Sequence, residues 1–236
     1  MINTRNVNTR NLCSRILSKP FMSTDYVPRK NDNQWVEMRE GREVTVTEHP
    51  VRDERVEFLN EPENPAEGPL TLKFYLGVGH TVDEHIHPEQ TETLTVNQGT
   101  IRATVDGEER ILENGETARI PPGTPHSYTV ISDQEAVLAV SITPALSFKE
   151  FVVAEHALGA EDYPENGLNL PYFSVVSKRY GPMIAAPQTG VVVTLFGVIL
   201  SVIARLKGLE IPDEPLAIRE PTGETGEETA EEPSAP

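Results

Sequence analysis

GHTVDEHIHPEQTETLTVNQG, residues 79–99, sets His85 and His87 one residue apart and follows them with Glu92. Side chains alternate faces along a strand, so both imidazoles point the same way if this stretch is extended. Two imidazoles on one face, with a carboxylate able to fold back over them, offer three ligands to a divalent transition metal.

Downstream, GETARIPPGTPHSYTV, residues 115–130, places Pro121, Gly123 and His126 as if to turn a hairpin and aim one more imidazole. Together the two segments resemble the cupin family. Its first motif asks for Gly, His-x-His, Glu and Gly at fixed spacing, and Gly79, His85, His87, Glu92 and Gly99 meet every position. Its second is met by Gly115, Pro121, Gly123 and His126, with Val130 standing where the family has Asn. The resemblance implies a mainly β protein, a cupin-type antiparallel β-barrel (double-stranded β-helix, jelly roll) followed by C-terminal α-helices. It also implies that His85, His87, Glu92 and His126 bind one divalent metal. Three neutral imidazoles and a carboxylate suit Mn, Fe, Co, Ni, Cu or Zn, and an octahedral ion keeps two positions open for water, substrate or dioxygen.

The flanking pattern agrees with a barrel. Short β-branched runs begin at VTVT (44–47) and continue through RVEFL (55–59), LTLKFYLG (70–77), TETLTV (91–96), TIRATV (100–105), HSYTVI (126–131) and AVLAVSI (136–142). Asp106-Gly107 and Asn114-Gly115 supply turns between them. Close-spaced strands without intervening helices read as an antiparallel sandwich or barrel. The expected organisation is a mobile segment 1–43, a barrel 44–144, a helical extension 145–208 and an acidic disordered tail 209–236. That tail holds nine acids, one Arg and five prolines. Helices are expected over 147–159, 171–181 and 190–208.

Strand parity extends the reading to side chains. Leu94 and Val96 share the face of Glu92; Leu70, Leu72, Phe74 and Leu76 form another apolar face, as do Leu138, Val140 and Ile142. Tyr128 and Val130 point where His126 points. The expected interior is therefore apolar, with no further histidine or carboxylate directed into it. Glu92 as an intermittent base and Tyr128 as a substrate-orienting hydroxyl are the candidate catalytic residues, although a barrel tyrosine is more often satisfied by a backbone carbonyl. Gln90 reads as a turn cap before a ligand contact. His80 reads as an exposed loop residue before a group supporting the metal site. His49 and His156 read as surface or helix residues with no partner.

The chain carries 37 acidic and 20 basic residues, a formal charge of −17. Such a surface repels nucleic acid and anionic lipid and resembles the acidic surfaces of proteins from high-salt cytoplasms; an ordinary acidic enzyme with an acidic tail is the alternative. Cys13 is the only cysteine, so no internal disulfide forms and a cytoplasmic location is expected. Residues 1–21, Arg-rich and acid-free, read as an upstream extension before Met22, with a transit peptide as the alternative.

In the last expected helix Gly190, Thr194, Gly197, Ser201, Ala204 and Gly208 form one stripe of small side chains. Such a stripe admits a close helix partner, either in a soluble homodimer or on the barrel, or within a membrane as a single C-terminal anchor through 190–208. The function implied is a metal-binding single-domain cupin acting on a small, partly apolar molecule, as a dioxygenase. The alternatives are a non-enzymatic ligand-binding or sensing module, and a metal-dependent isomerase or lyase.

Overall fold

The structure is a computed structural model that describes residues 33–158, 160–164, 167–186, 191–211 and 217–218. The expectations for residues 1–32, Cys13 included, and for most of the tail lie outside the described residues.

Eleven antiparallel strands make the barrel: β1 (Gln34–Arg39), β2 (Arg42–Glu48), β3 (Glu54–Asn60), β4 (Leu70–Leu76), β5 (Thr81–His85), β6 (Thr91–Gln98), β7 (Ile101–Val105), β8 (Glu108–Leu112), β9 (Thr117–Ile120), β10 (His126–Val130) and β11 (Ala136–Thr143). A two-residue strand, β12 (Ala217–Ile218), pairs parallel with β1. One sheet runs β12-β1-β2-β3-β4-β11-β6-β9 and the other β5-β10-β7-β8. The fold is a jelly-roll barrel with C-terminal helices.

The alternation in the sequence is the alternation in burial. Leu70, Leu72, Phe74 and Leu76 are all buried, as are Leu94, Val96, Leu138, Val140 and Ile142. β4, β6 and β11 therefore each turn one apolar face to a common core. Asp106 and Gly107, both at positive φ (51° and 78°), close the β7–β8 hairpin between the paired Val105 and Glu108.

Gly99, at φ 80°, starts the connection to β7. A Cβ there would lie 2.9 Å from Ser132 Oγ and 3.0 Å from Ala136 Cα. Strain and crowding both oppose a side chain, so Gly99→Ala is expected to lower stability by about 1–3 kcal/mol. Urea denaturation of the variant against wild type checks this.

β1 lies inside the stretch read as a polar lead-in. Its hydrophobic residues are few, but Trp35 is buried with Val44 and Val46 in a small core of its own. Asn33 and Gln34 next to it donate from their side-chain amides to the carbonyls of His156 (3.2 Å) and Val153 (2.6 Å). Those carbonyls close the first helix, where backbone acceptors lack intrahelical partners. The order of β1 thus depends on a contact with the distant C-terminal extension.

That extension has three α-helices, α1 (Phe148–Glu155), α2 (Leu170–Tyr180) and α3 (Val191–Leu206). Phe148, Phe151, Tyr172, Val176, Met183 and Ala204 belong to the same core as the barrel strands. Gln90 ties the two parts together, donating to the carbonyls of Pro144 (3.1 Å) and Ala145 (3.0 Å). Of the small-residue stripe, Ala204 is fully buried in the core and Ser201 Oγ lies 3.5 Å from Ser174 Oγ of α2 in a close contact between the two helices, while a Cβ at Gly197 would meet nothing within 4 Å. Overfilling that contact with Ala204→Leu is expected to cost about 1–3 kcal/mol, read as a lowered Tm. Among the described residues no helix is long and apolar enough to cross a membrane. Leu209, at the start of the expected tail, is buried against the core.

Candidate metal centre

His85 ends β5, His126 begins β10, and the two face each other as register partners in the four-stranded sheet. Glu92 comes from β6 in the other sheet, where Ile142 and Ile120 flank it on the neighbouring strands. His87 follows β5, and its carbonyl accepts the N–H of Gly123 (2.8 Å), a residue at φ 71° in the turn that leads to His126. The family-like glycine therefore braces one histidine while aiming another. All four side chains are buried, and a ligand atom from each lies within 4.8 Å of the others.

The hydrogen bonds fix how the rings present themselves. Nδ1 of His85 bonds the carbonyl of Asp83 (2.8 Å), that of His87 the carbonyl of Met183 (2.7 Å), and that of His126 the carbonyl of Thr124 (2.9 Å). A carbonyl only accepts, so each Nδ1 carries the proton and each Nε2 presents a lone pair. This is the outer support that metal-binding histidines use. His126 Nε2 then stands 2.9 Å from Glu92 Oε2, and neither atom has a hydrogen-bond partner although both are buried. Two lone-pair atoms at that distance call for a shared cation, and the donor set fits a divalent metal.

The electrostatics carry the same signature. Burial alone would raise the Glu92 pKa, but His126 and His87 outweigh it and hold the carboxyl well below the usual range. Burial disfavours charge on His126, yet Glu92 beside it raises its pKa overall, a proton serving where a metal ion would. Burial, reinforced by His126 and His87, pushes His85 down to about 3 and keeps it a neutral donor.

The centre opens into a pocket of about 270 Å³ between the barrel and the helices. Phe74, Tyr128, Phe148, Phe151, Phe173 and Ile184 contribute to its walls. The chain after α2 returns to cover the centre: Ile86 and Ala185 exchange backbone bonds of 2.9 and 3.0 Å, and Met183 supplies the carbonyl for His87. This cover was invisible in the sequence, because it is made by backbone.

Tyr128 is buried on the pocket wall, and no hydroxyl bond joins it to the described residues, so the expected backbone partner is not there. Burial, then Glu92 and Glu54, raise its pKa well above the ordinary value.

The expectation that no further histidine or carboxylate faces the interior is overturned. Arg52, Glu54, Glu155 and His156 also line the pocket. His156 is buried, with Nε2 3.1 Å from Glu155 Oε2 and 3.5 Å from Glu54 Oε1, and Nδ1 3.2 Å from Thr47 Oγ1. His80, expected in solvent, has a side chain 5% exposed and stands 3.3 Å from Glu54 Oε2. His49 is buried too, its Nε2 3.0 Å from the Gly167 carbonyl. Burial pushes His49 down to about 4, whereas burial of His156 is outweighed by Glu155 and Glu54, which lift it to about 9. Sequence gave one usable signal for this cluster: charged residues sit at the start of β3 and at the end of α1, where strand and helix ends meet loops.

Residues 73–143 match the family model described as the cupin domain. A stretch of 66 residues, 28% of this chain, is 35% identical to quercetin 2,3-dioxygenase of Bacillus subtilis (strain 168), and the match spans 20% of that enzyme's length. Among solved structures, an RmlC-like cupin from Shewanella frigidimarina NCIMB 400 superposes at a TM-score of 0.39 with 18% identity, over 48% of this chain and 95% of its own. KdgF from Halomonas sp. gives 0.35 and 17%, over 38% of this chain and 78% of its own.

Proposed function

This chain belongs to the cupin superfamily through its barrel, and from that premise we propose that it is a metal-dependent dioxygenase of a small, partly apolar molecule. The observation that carries the reading is the convergence of three Nε2 lone pairs and the Glu92 carboxylate on an aromatic-walled pocket. His85, His87, Glu92 and His126 would hold the ion. A bound transition metal supplies Lewis acidity and redox chemistry toward dioxygen and an oxygen-chelating substrate. The 66-residue likeness to quercetin 2,3-dioxygenase supports the same reaction class.

The chain's own residues do the rest. Phe74, Phe148 and Phe151 exclude water and pack against the apolar part of the substrate. Glu92, whose charged form is favoured by its histidine neighbours, is the group placed to take a proton from an incoming hydroxyl. Tyr128, held in its neutral form by burial and the two carboxylates, offers a hydroxyl donor to a substrate oxygen.

The test uses the full chain. Metal content is measured after loading with Fe, Mn, Ni or Zn, and oxygen consumption is followed over a panel of phenols and diketones. About one ion per chain with oxygen uptake on a panel member is expected. Failure to bind any of the four metals overturns the reading. One ion per chain without turnover favours a second reading, a ligand-binding or sensing module. The observation behind that alternative is the apolar face of α3, where Val198, Ile199, Val202 and Leu206 are exposed and suited to a partner or a second copy of the chain.

A further inference from the structure

The metal centre occupies only part of the pocket, whose other polar lining comes from Asp83 and Glu84 of β5 and from a second group on other elements. Arg52 precedes β3 and Glu54 begins it, while Glu155 and His156 end α1. Their pairings are unequal. His156 is committed, with Glu155 at 3.1 Å and Thr47 at 3.2 Å. Glu54 has three donor nitrogens around it at long range: His80 Nε2 stands 3.3 Å away, His156 Nε2 3.5 Å and Arg52 Nη2 3.6 Å. These separations exceed the usual N–H···O length of about 2.9 Å, and His80 Nε2 finds no hydrogen-bond partner at all. A carboxylate offers roughly four lone-pair sites. Glu54, with a side chain only 9% exposed, therefore keeps acceptor capacity inside a desolvated wall.

The charges around it decide what kind of group it can receive. Arg52 and cationic His156 balance Glu54 and Glu155, and His49 is neutral at ordinary pH. Asp83 and Glu84 line the same pocket, so an added anion would meet four carboxylates against Arg52 and His156, whereas a neutral or cationic donor would meet a ready acceptor. Tyr128 lines the same pocket as the metal centre and this corner.

We propose that Glu54 is the second anchoring group of the pocket, accepting a hydrogen bond from a hydroxyl or amino group of a ligand whose other end chelates at the His85, His87, Glu92 and His126 centre. The substrate class is then a compact, apolar-bodied molecule with adjacent oxygens at one end and a hydrogen-bond donor at the other. This inference rests on the metal-centred reading of the pocket. Arg52, His80 and His156 act through Glu54 as positioning residues, holding the carboxylate ionised and in place.

The experiment reads binding, not turnover. The full chain is loaded with Zn²⁺, which has no redox chemistry, and titrated by calorimetry with catechol and with its 4-methyl, 4-hydroxymethyl, 4-aminomethyl and 4-carboxy derivatives. Wild type is expected to bind the hydroxymethyl and aminomethyl compounds about tenfold more tightly than the methyl compound, and the carboxy compound more weakly. In Glu54→Gln the affinity ratio of the aminomethyl to the methyl compound should fall to about one. Should Glu54→Gln fail to fold, the order among the four derivatives in wild type decides alone. Catechol binding with no preference for donors, or an aminomethyl preference that survives in Glu54→Gln, overturns the role of Glu54 and leaves the metal-centred function standing. Absence of catechol binding in wild type overturns both.

Discussion

His87→Ala, exposed to metal under conditions that load wild type fully, is expected to retain less than about a tenth of an ion per chain, because one of the four ligands and its carbonyl-fixed orientation are lost together. The ring of His87 is held by the Met183 carbonyl at 2.7 Å and packs edge-on against Phe148 at 5.6 Å between centroids. Its removal also takes one favourable neighbour from Glu92, so the remaining set is poorer in both number and charge stabilisation. Elemental analysis of the purified variant gives the direct readout. Thermal melting gives a second one. Metal at a thousandfold excess over its dissociation constant should stabilise wild type by about 4 kcal/mol, and the variant should show no such rise. Full metal occupancy in His87→Ala would remove His87 from the ligand set.

Stability of the metal-loaded protein is expected to fall as pH rises from about 6.5 to 9, and His156 is the cause. Its folded pKa is raised to about 9 by Glu155 and Glu54 against the cost of burial. In the unfolded chain a histidine titrates near 6.5. The contribution is therefore complete below the unfolded value, declines as pH passes through the window, and is gone above the folded value. The raised pKa corresponds to at most about 3 kcal/mol. Glu54 and Glu155 have lowered pKa values and stay ionised throughout the window, and His49, lowered to about 4, is neutral in the folded protein there. Urea denaturation at the two ends of the window measures the drop, and His156→Gln should flatten it. An equal slope in that variant would assign the pH dependence to other groups.

Much of the barrel was legible because its information is local. The alternation at Leu70–Leu76 and Ala136–Thr143 specifies an inward face whatever the partner strand is, and burial follows it residue by residue. The positions of Gly79, Gly99, Gly115 and Gly123 mark places where φ is positive, between 71° and 87°, and these punctuate the strands. The four candidate ligands were legible for the same reason, since two short segments with fixed spacing carry them. The second polar cluster was not. Glu54, His80 and His156 look unremarkable on their own elements, and none has a period or spacing that points to the others. They meet because α1 packs back over the barrel mouth and sets its C-terminal turn against the start of β3. The same packing gives Asn33 and Gln34 at the start of β1 acceptors at the end of α1 as well as on β2.

The stripe on α3 shows the division most simply. Sequence alone established a row of small residues and hence a close helix contact, because spacing on a helix fixes which side chains share a face. It could not establish the partner, and the structure brings Ser201 to Ser174 of α2 in the same chain and buries Ala204 in the core. The sequence by itself determined the barrel, its inward faces and the four-residue centre, since strand parity and turn chemistry act over a few residues. Only the tertiary structure decided the pocket's second wall, the backbone cover over His87 and the partner of α3, because those depend on the long-range docking of the helical extension, which no local pattern encodes.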